Sequence, residues 1–199
     1  MIRLLGKPTS INVRKVLWLA AELQLPLEHD PAPDGVAALN PNALVPVLVD
    51  GDFVLWESNT ICRYLAGRER AFDLLPAEPA ARARVEQWMD WQATDLNSAW
   101  RYAFMARVRQ SPQHIDAPAI EASMAEWNRL MTMLDGQLAR TGAFAAGERF
   151  SLADIVLGLS ANRWRSTPLQ RPELPAVAAW FERLRERPGF RRFGDNGTP

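Results

Sequence analysis

The chain is poor in the residues that build covalent or metal-held scaffolds. It has one cysteine, Cys62, and two histidines, His29 and His114, in 199 residues. One thiol cannot close an internal disulfide, and neither histidine has a ligand-like neighbour. Disulfide frameworks, multi-thiolate metal centres and dithiol exchange by the chain's own cysteines are therefore excluded. A reducing, cytoplasmic setting is the expectation. A dominant charge is also missing, because 23 basic residues meet 23 acidic ones. No basic stripe tracks along a segment, so nucleic acid is not an expected partner. Apolar runs such as Val16–Ala21 fall far short of the ~20 residues that cross a bilayer, so no membrane is expected either. The opening Met1–Gly6 lacks the apolar segment and cleavage site of a signal peptide.

Hydrophobic residues are plentiful, at 48% of the chain, enough to bury a core without staples. Their period changes along the chain. Ile2–Leu5 reads as a strand stopped by Gly6-Lys7-Pro8. From Ile11 to Leu25, Val13, Val16, Leu17, Ala20 and Ala21 recur at helical spacing, and Leu27-Glu28-His29 reads as a second strand. After the polar connector 30–42, Val45–Val49 and Phe53–Leu55 flank Asp50-Gly51-Asp52, a strong hairpin signal. A helix follows over Trp56–Leu65. The order β-α-β, connector, β-β-α is that of a thioredoxin-like α/β domain, expected over 1–70.

A linker is expected over about 68–78, with Pro76 and Pro79 near its end. Beyond it, helix period dominates and an all-α bundle domain is expected over 78–199. Val85, Trp88, Met89, Gln92, Leu96, Trp100 and Phe104 form one stripe, and Ile120–Leu138 a second. Leu152–Leu159 and Leu174–Leu184 give two more. Ser151-Leu152-Ala153-Asp154 has the spacing of a capping box. The tail from Phe193 to Pro199 is expected to fray.

Three short segments could carry chemistry. Ser10 and Asn12 open the first helix, where free N–H groups favour an anion, including a ligand's thiolate. A free thiol is mostly protonated at neutral pH, and lowering its pKa by about two units takes roughly 2.7 kcal/mol. A hydroxyl hydrogen bond and a helix terminus supply energy of that order. Ser10 could equally be a simple helix cap, and the two roles can coexist. Val45-Pro46 enters a strand with a proline, which marks an edge or a special turn. A cis bond there would turn the Val45 backbone outward. Glu57-Ser58 opens the next helix and could hold a zwitterionic amino-acid end, or simply be first-turn residues. Cys62, among Ile61 and Leu65, reads as a buried, inert thiol.

The order of these segments resembles the glutathione S-transferases over nearly the full length, close to bacterial theta- and beta-class members. Ser10–Trp18 is similar to that family's first helix, Asn40–Leu48 to its third-strand signature, Leu55–Ile61 to its glutathione-binding helix start, and Phe150–Ile155 to its capping box. The resemblance implies that Ser10 and Asn12 activate the thiol of glutathione, a cosubstrate used without a metal. It implies that Val45, before a cis Pro46, pairs with the cysteinyl backbone, and that Glu57 and Ser58 hold the γ-glutamyl end. Trp100, Arg101, Phe104, Met105 and Trp164 are candidates for the pocket of a hydrophobic electrophile. A homodimer is implied, with Trp56, Phe53 or residues of the fourth helix at its interface.

One departure stands out. The connector 30–39 lacks the lysine, arginine or glutamine that family members commonly offer the glycyl carboxylate, and Arg14 is one conceivable substitute. The expected activity is conjugation of glutathione to an electrophile. Isomerase, dehalogenase, peroxidase or disulfide-reductase chemistry, or a non-catalytic interaction module, are the alternatives on this scaffold.

Overall fold

Four short strands form one mixed sheet in the order β2-β1-β3-β4 in the computed structural model, which describes residues 1–199. β1 (Ile2–Leu5) is parallel to β2 (Leu27–Asp30), to which it is joined through α1 (Ile11–Glu22). It is antiparallel to β3 (Val47–Asp50), which turns at Gly51 into β4 (Phe53–Trp56). Gly51 has φ of 61°, the left-handed value that a tight hairpin turn needs. A single turn, α2 (Val36–Leu39), interrupts the connector, and α3 (Ser58–Arg68) closes this half. One turn of helix is too short to leave a readable period, which is why the sequence shows only a connector there.

Register decides where the chemistry gathers. Leu5 lies opposite Val47, and Val47 opposite Trp56. The end of β1, the start of β3 and the end of β4 therefore share one edge of the sheet. β1 leaves that edge through Gly6, at φ 145°. A Cβ on Gly6 would stand 2.6 Å from Val13 Cγ2 and 2.8 Å from Val45 Cβ. Only glycine lets the turn, the first helix and the segment before β3 meet this closely.

The helical half comprises α4 (Pro79–Trp91), a π-helical turn (Gln92–Leu96), α5 (Asn97–Arg107), α6 (Ala117–Thr141), α7 (Leu152–Ser166), α8 (Pro175–Arg185) and α9 (Pro188–Phe193). The stripe from Val85 to Phe104 is thus two helices joined at a π turn rather than one. Start signals are local. The Glu78 carboxylate accepts from Ala80 N and Ala81 N at 2.8 and 2.7 Å, and Asp116 accepts from Ala119 N at 3.1 Å. Gly142, at φ 74°, ends α6.

One continuous hydrophobic core runs through both halves. α1 packs on α3, α7 and α9, and its residues from Val13 to Ala20 are all buried. Trp18, with no exposed surface, lies against the rings of Phe150 and Phe190 at centroid distances of 5.9 and 4.8 Å. It fits only because α7 and α9 offer glycines there. A Cβ on Gly189 would come within 2.5 Å of Trp18 Cδ1, and one on Gly158 within 3.1 Å of its ring.

The tail does not fray. Phe193 ends α9, and Arg14 on α1 donates to the backbone oxygens of Phe193, Thr198 and Pro199 and to Asn196 Oδ1, at 2.9 to 3.4 Å. Asn162 Nδ2 adds a 2.9 Å bond to Thr198 O. A buried guanidinium seeking acceptors holds the tail, which composition alone does not reveal.

The capping box of α7 forms at full burial. The Asp154 carboxylate accepts from Ser151 N, Ser151 Oγ, Ala145 N and Trp180 Nε1 at 2.9 to 3.1 Å. Burial outweighs these donors and raises its pKa to about 6. Asp154→Ala orphans several buried donors and is expected to cost about 3 kcal/mol or more, against about 1 kcal/mol for Ser151→Ala. Urea denaturation of both variants checks this; equal losses would show that the carboxylate does no more than cap.

Candidate active site

At the shared edge, Ser10 is the N-cap of α1 by backbone conformation, with φ −75° and ψ 123°, and its carbonyl accepts from Arg14 N at 3.0 Å. Its hydroxyl makes no capping bond. The simple-cap reading of Ser10 is therefore not realised, and the half-buried hydroxyl remains free to act on a ligand. Asn12 is exposed on the first turn beside it.

The Val45–Pro46 bond is cis. The Val45 N–H and C=O make no backbone bond within the chain, so both are open to a ligand's main chain. Val45 also touches the space filled by Gly6, which sets its distance from the start of α1.

Glu57 is the N-cap of α3 with φ 72° and ψ 110°. A non-glycine residue in such a conformation costs about 1–3 kcal/mol, and such strain collects at functional sites. Its carboxylate is exposed, while Ser58 and Asn59 are buried behind it. The free N–H groups of the first turn of α3 point at the same place, a ready position for a carboxylate.

Beneath Ser58 lies a group that sequence reading missed. Lys15, 3% exposed, directs its ammonium to Gln92 Oε1 at 2.8 Å, Asn59 Oδ1 at 3.0 Å and Ser58 Oγ at 3.5 Å. Gln92 belongs to the π turn and donates onward to Ser160 Oγ on α7 at 3.1 Å. No carboxylate pairs with Lys15, and burial pulls its pKa down to about 8. The ammonium adds positive charge behind the N-terminus of α3, where an anion would sit. Its burial could not be foreseen, because its acceptors Asn59 and Gln92 lie far along the chain. Cys62, also fully buried, has its thiol pushed up to about 12 by burial, as expected of an inert cysteine.

Arg14 does not reach toward the connector. It is 1% exposed and turned into the helical half, where its bonds to the tail leave it no part in holding a glycyl carboxylate. Among the pocket candidates, Trp100 and Phe104 are buried and meet edge-to-face at 5.3 Å. Met105 is half-buried and Arg101 exposed on the same helix. Trp164, 4% exposed on α7, is bonded to α6. Its Nε1 donates to Asn128 Oδ1 on α6 at 2.9 Å, and its ring lines a cavity of about 270 Å³ with Arg165, Arg171 and Leu174.

The family models described as the N-terminal and C-terminal domains of glutathione S-transferase match residues 9–68 and 97–188. The chain belongs to the glutathione S-transferase family. It is 38% identical to glutathione S-transferase GstB of Escherichia coli K12, over 96% of this chain and 97% of that protein. It is 33% identical to glutathione S-transferase 3 of Zea mays, over 96% and 92%. The theta-class glutathione S-transferase of Xanthomonas axonopodis pv. citri, solved with glutathione bound, superposes with a TM-score of 0.90. That match has 37% identity and covers 100% of this chain and 99% of that one. Like these relatives, the chain is an enzyme.

The low pKa of Lys15 predicts a pH dependence. The folded chain releases this proton near pH 8, whereas an unfolded lysine holds it to about 10.4. The desolvation cost is therefore present in full below pH 8 and is relieved as pH rises above it. Between pH 8 and 9, this group alone should raise stability by about 1 kcal/mol. Lys15→Met should remove that rise in denaturation midpoints; a rise that persists in the variant would assign it to other groups.

Proposed function

We propose that the protein conjugates glutathione to an electrophile, with Ser10 and Asn12 as donors to the glutathione sulfur. The free Ser10 hydroxyl at the start of α1 is the observation that carries this reading. On it, the hydroxyl and the helix terminus favour the thiolate over the thiol, whose proton passes to solvent. Val45 pairs main chain to main chain with the cysteinyl unit. Glu57 receives the γ-glutamyl ammonium, and the α3 terminus with Ser58, backed by Lys15, receives its carboxylate. The sulfur attacks the electrophilic carbon, a C–S bond forms, and the leaving group departs with its electron pair. The chain contributes ionisation and alignment and forms no covalent intermediate of its own.

The reading divides the chain into a glutathione-binding domain over 1–70 and a helical domain over 78–199, whose Trp100, Arg101, Phe104 and Met105 shape the electrophile pocket. It also takes the working form to be a homodimer. Phe53 and Val54 on the edge strand β4, 47% and 36% exposed, support that assembly, and light scattering behind gel filtration tests it.

Ser10→Ala is expected to lower turnover of a chloronitrobenzene at least tenfold while leaving glutathione affinity and the fold intact. Ser58→Ala is expected to weaken glutathione binding in a calorimetric titration. Unchanged turnover in the first variant would pass the thiol to Asn12, and undiminished binding in the second would remove Ser58 from the γ-glutamyl site.

A further inference from the structure

His29, on β2, has no part in the chemistry set out above, yet it reaches the root of the loop that presents Ser10. Its Nε2 stands 2.7 Å from the carbonyl oxygen of Gly6. A carbonyl oxygen only accepts, so Nε2 carries the hydrogen and donates it, in the neutral and the charged ring alike. The residues on either side of His29 turn to the other face of the sheet, where Glu28 and Asp30 lie 3.6 and 3.9 Å from Arg3. His29 shares its face with Leu27 and borders, half-buried, a cavity of about 290 Å³ beside α1.

Only Gly6–Ser10 separate the end of β1 from the start of α1. Lys7, Pro8 and Thr9 are exposed, so this loop takes its place from its two ends. At one end the Ser10 carbonyl accepts from Arg14 N at 3.0 Å, and Ser10 N donates to Lys7 O at 3.0 Å. At the other, β2 holds both polar groups of Gly6. Gly6 N donates to Asp30 O at 2.9 Å, and the Gly6 carbonyl accepts from His29. The direction in which the Ser10 side chain leaves its Cα thus depends on α1 from one side and on the Gly6 anchor from the other. Gly6 also meets Val45, because a Cβ placed on Gly6 would lie 2.8 Å from Val45 Cβ. The anchor therefore bears on the spacing between Ser10 and Val45, the two groups assigned above to the sulfur and to the cysteinyl main chain.

Resting on the glutathione-conjugating reading, we propose that His29 is a positioning residue: by holding the Gly6 carbonyl, it keeps the Ser10 hydroxyl in reach of a glutathione sulfur whose main chain lies on Val45. It acts through the loop and not on the reactants. A displacement of about 1 Å at such a contact costs on the order of a hundredfold in rate. A bond this far from the sulfur thus governs turnover while leaving affinity almost untouched. The cavity admits water to the Gly6 carbonyl, so the fold should survive loss of the ring.

Three substitutions test the donor. His29→Leu removes it. His29→Gln keeps it, since the Nε2 of glutamine is as many bonds from Cα as that of histidine, whereas His29→Asn is polar but one bond short. The readouts are turnover of a chloronitrobenzene, glutathione affinity by calorimetry, and the pKa of the bound glutathione thiol from the ultraviolet absorbance of its thiolate. His29→Leu and His29→Asn should each lower turnover by roughly fivefold or more and raise the thiol pKa, with affinity within about threefold. His29→Gln should stay within about twofold of the parent. Parental turnover and thiol pKa in His29→Leu would overturn the proposal. Equal losses in His29→Gln would assign the effect to packing of the ring and overturn it as well. A tenfold loss of affinity with an unchanged thiol pKa would assign His29 to glutathione binding at large, with the same result. If His29→Leu does not fold, His29→Asn decides.

Dependence on Ser10 is read from a double-mutant cycle. In the Ser10→Ala background, His29→Leu should have less than about a twofold further effect on turnover. A full further loss would make His29 independent of the hydroxyl and overturn its role. A parent chain without turnover would overturn conjugation rather than the anchor, and the thiol pKa would then decide His29 alone.

Discussion

The structure depends on α1 having almost no solvent face. One side of it packs on α3 within the sheet-bearing half, and the others are covered by α7 and α9. A helix enclosed in this way must offer a side chain to every neighbour, and Trp18 meets that demand by entering the space kept open by Gly158 and Gly189. The enclosure is ordinary for valine and leucine. For Arg14 and Lys15 it is severe, because each must find oxygen acceptors inside the protein. The tail and the π turn supply them. Two features that look peripheral, an irregular helical turn and the C-terminal tail, are thus answers to cations in the first helix.

Much of this was legible in the sequence. The change of hydrophobic period separates the sheet-bearing half from the helices, the Asp-Gly turn fixes the hairpin, and Ser151 with Asp154 marks the start of α7. The site segments were legible as well, because each sits where an element begins and register carries them to one edge. What the sequence hid were interactions between distant residues. Nothing local to Lys15 points to Gln92, 77 positions away. Nothing local to Arg14 points to Thr198, 184 positions away. Trp164 adds another distant partner: it is buried, and its indole N–H donates to Asn128, 36 positions away, which the helical period of α7 does not reveal.

Backbone strain and buried charge meet near the proposed γ-glutamyl site, though not there alone, since Gln24, Ala43, Arg70 and Gln110 also hold positive φ. Glu57 holds an unfavourable backbone conformation, Lys15 and Arg163 are buried without acids, and several donors lack acceptors. Other buried polar groups, such as Asn162 and Thr167, are hydrogen-bonded, and the one buried carboxylate, Asp154, has four donors.

The Lys15–Gln92 contact bears on modularity. The floor of the proposed γ-glutamyl site is completed from the helical half, through Gln92 and then Ser160. Residues 1–68 grafted onto another scaffold would keep the sheet, the cis proline and the start of α3. They would lose the oxygen that anchors the ammonium and expose the apolar underside of α1. The seam between the two halves is visible in composition but is not a place to cut, and recombination among relatives would have to exchange α1, the π turn and α7 together.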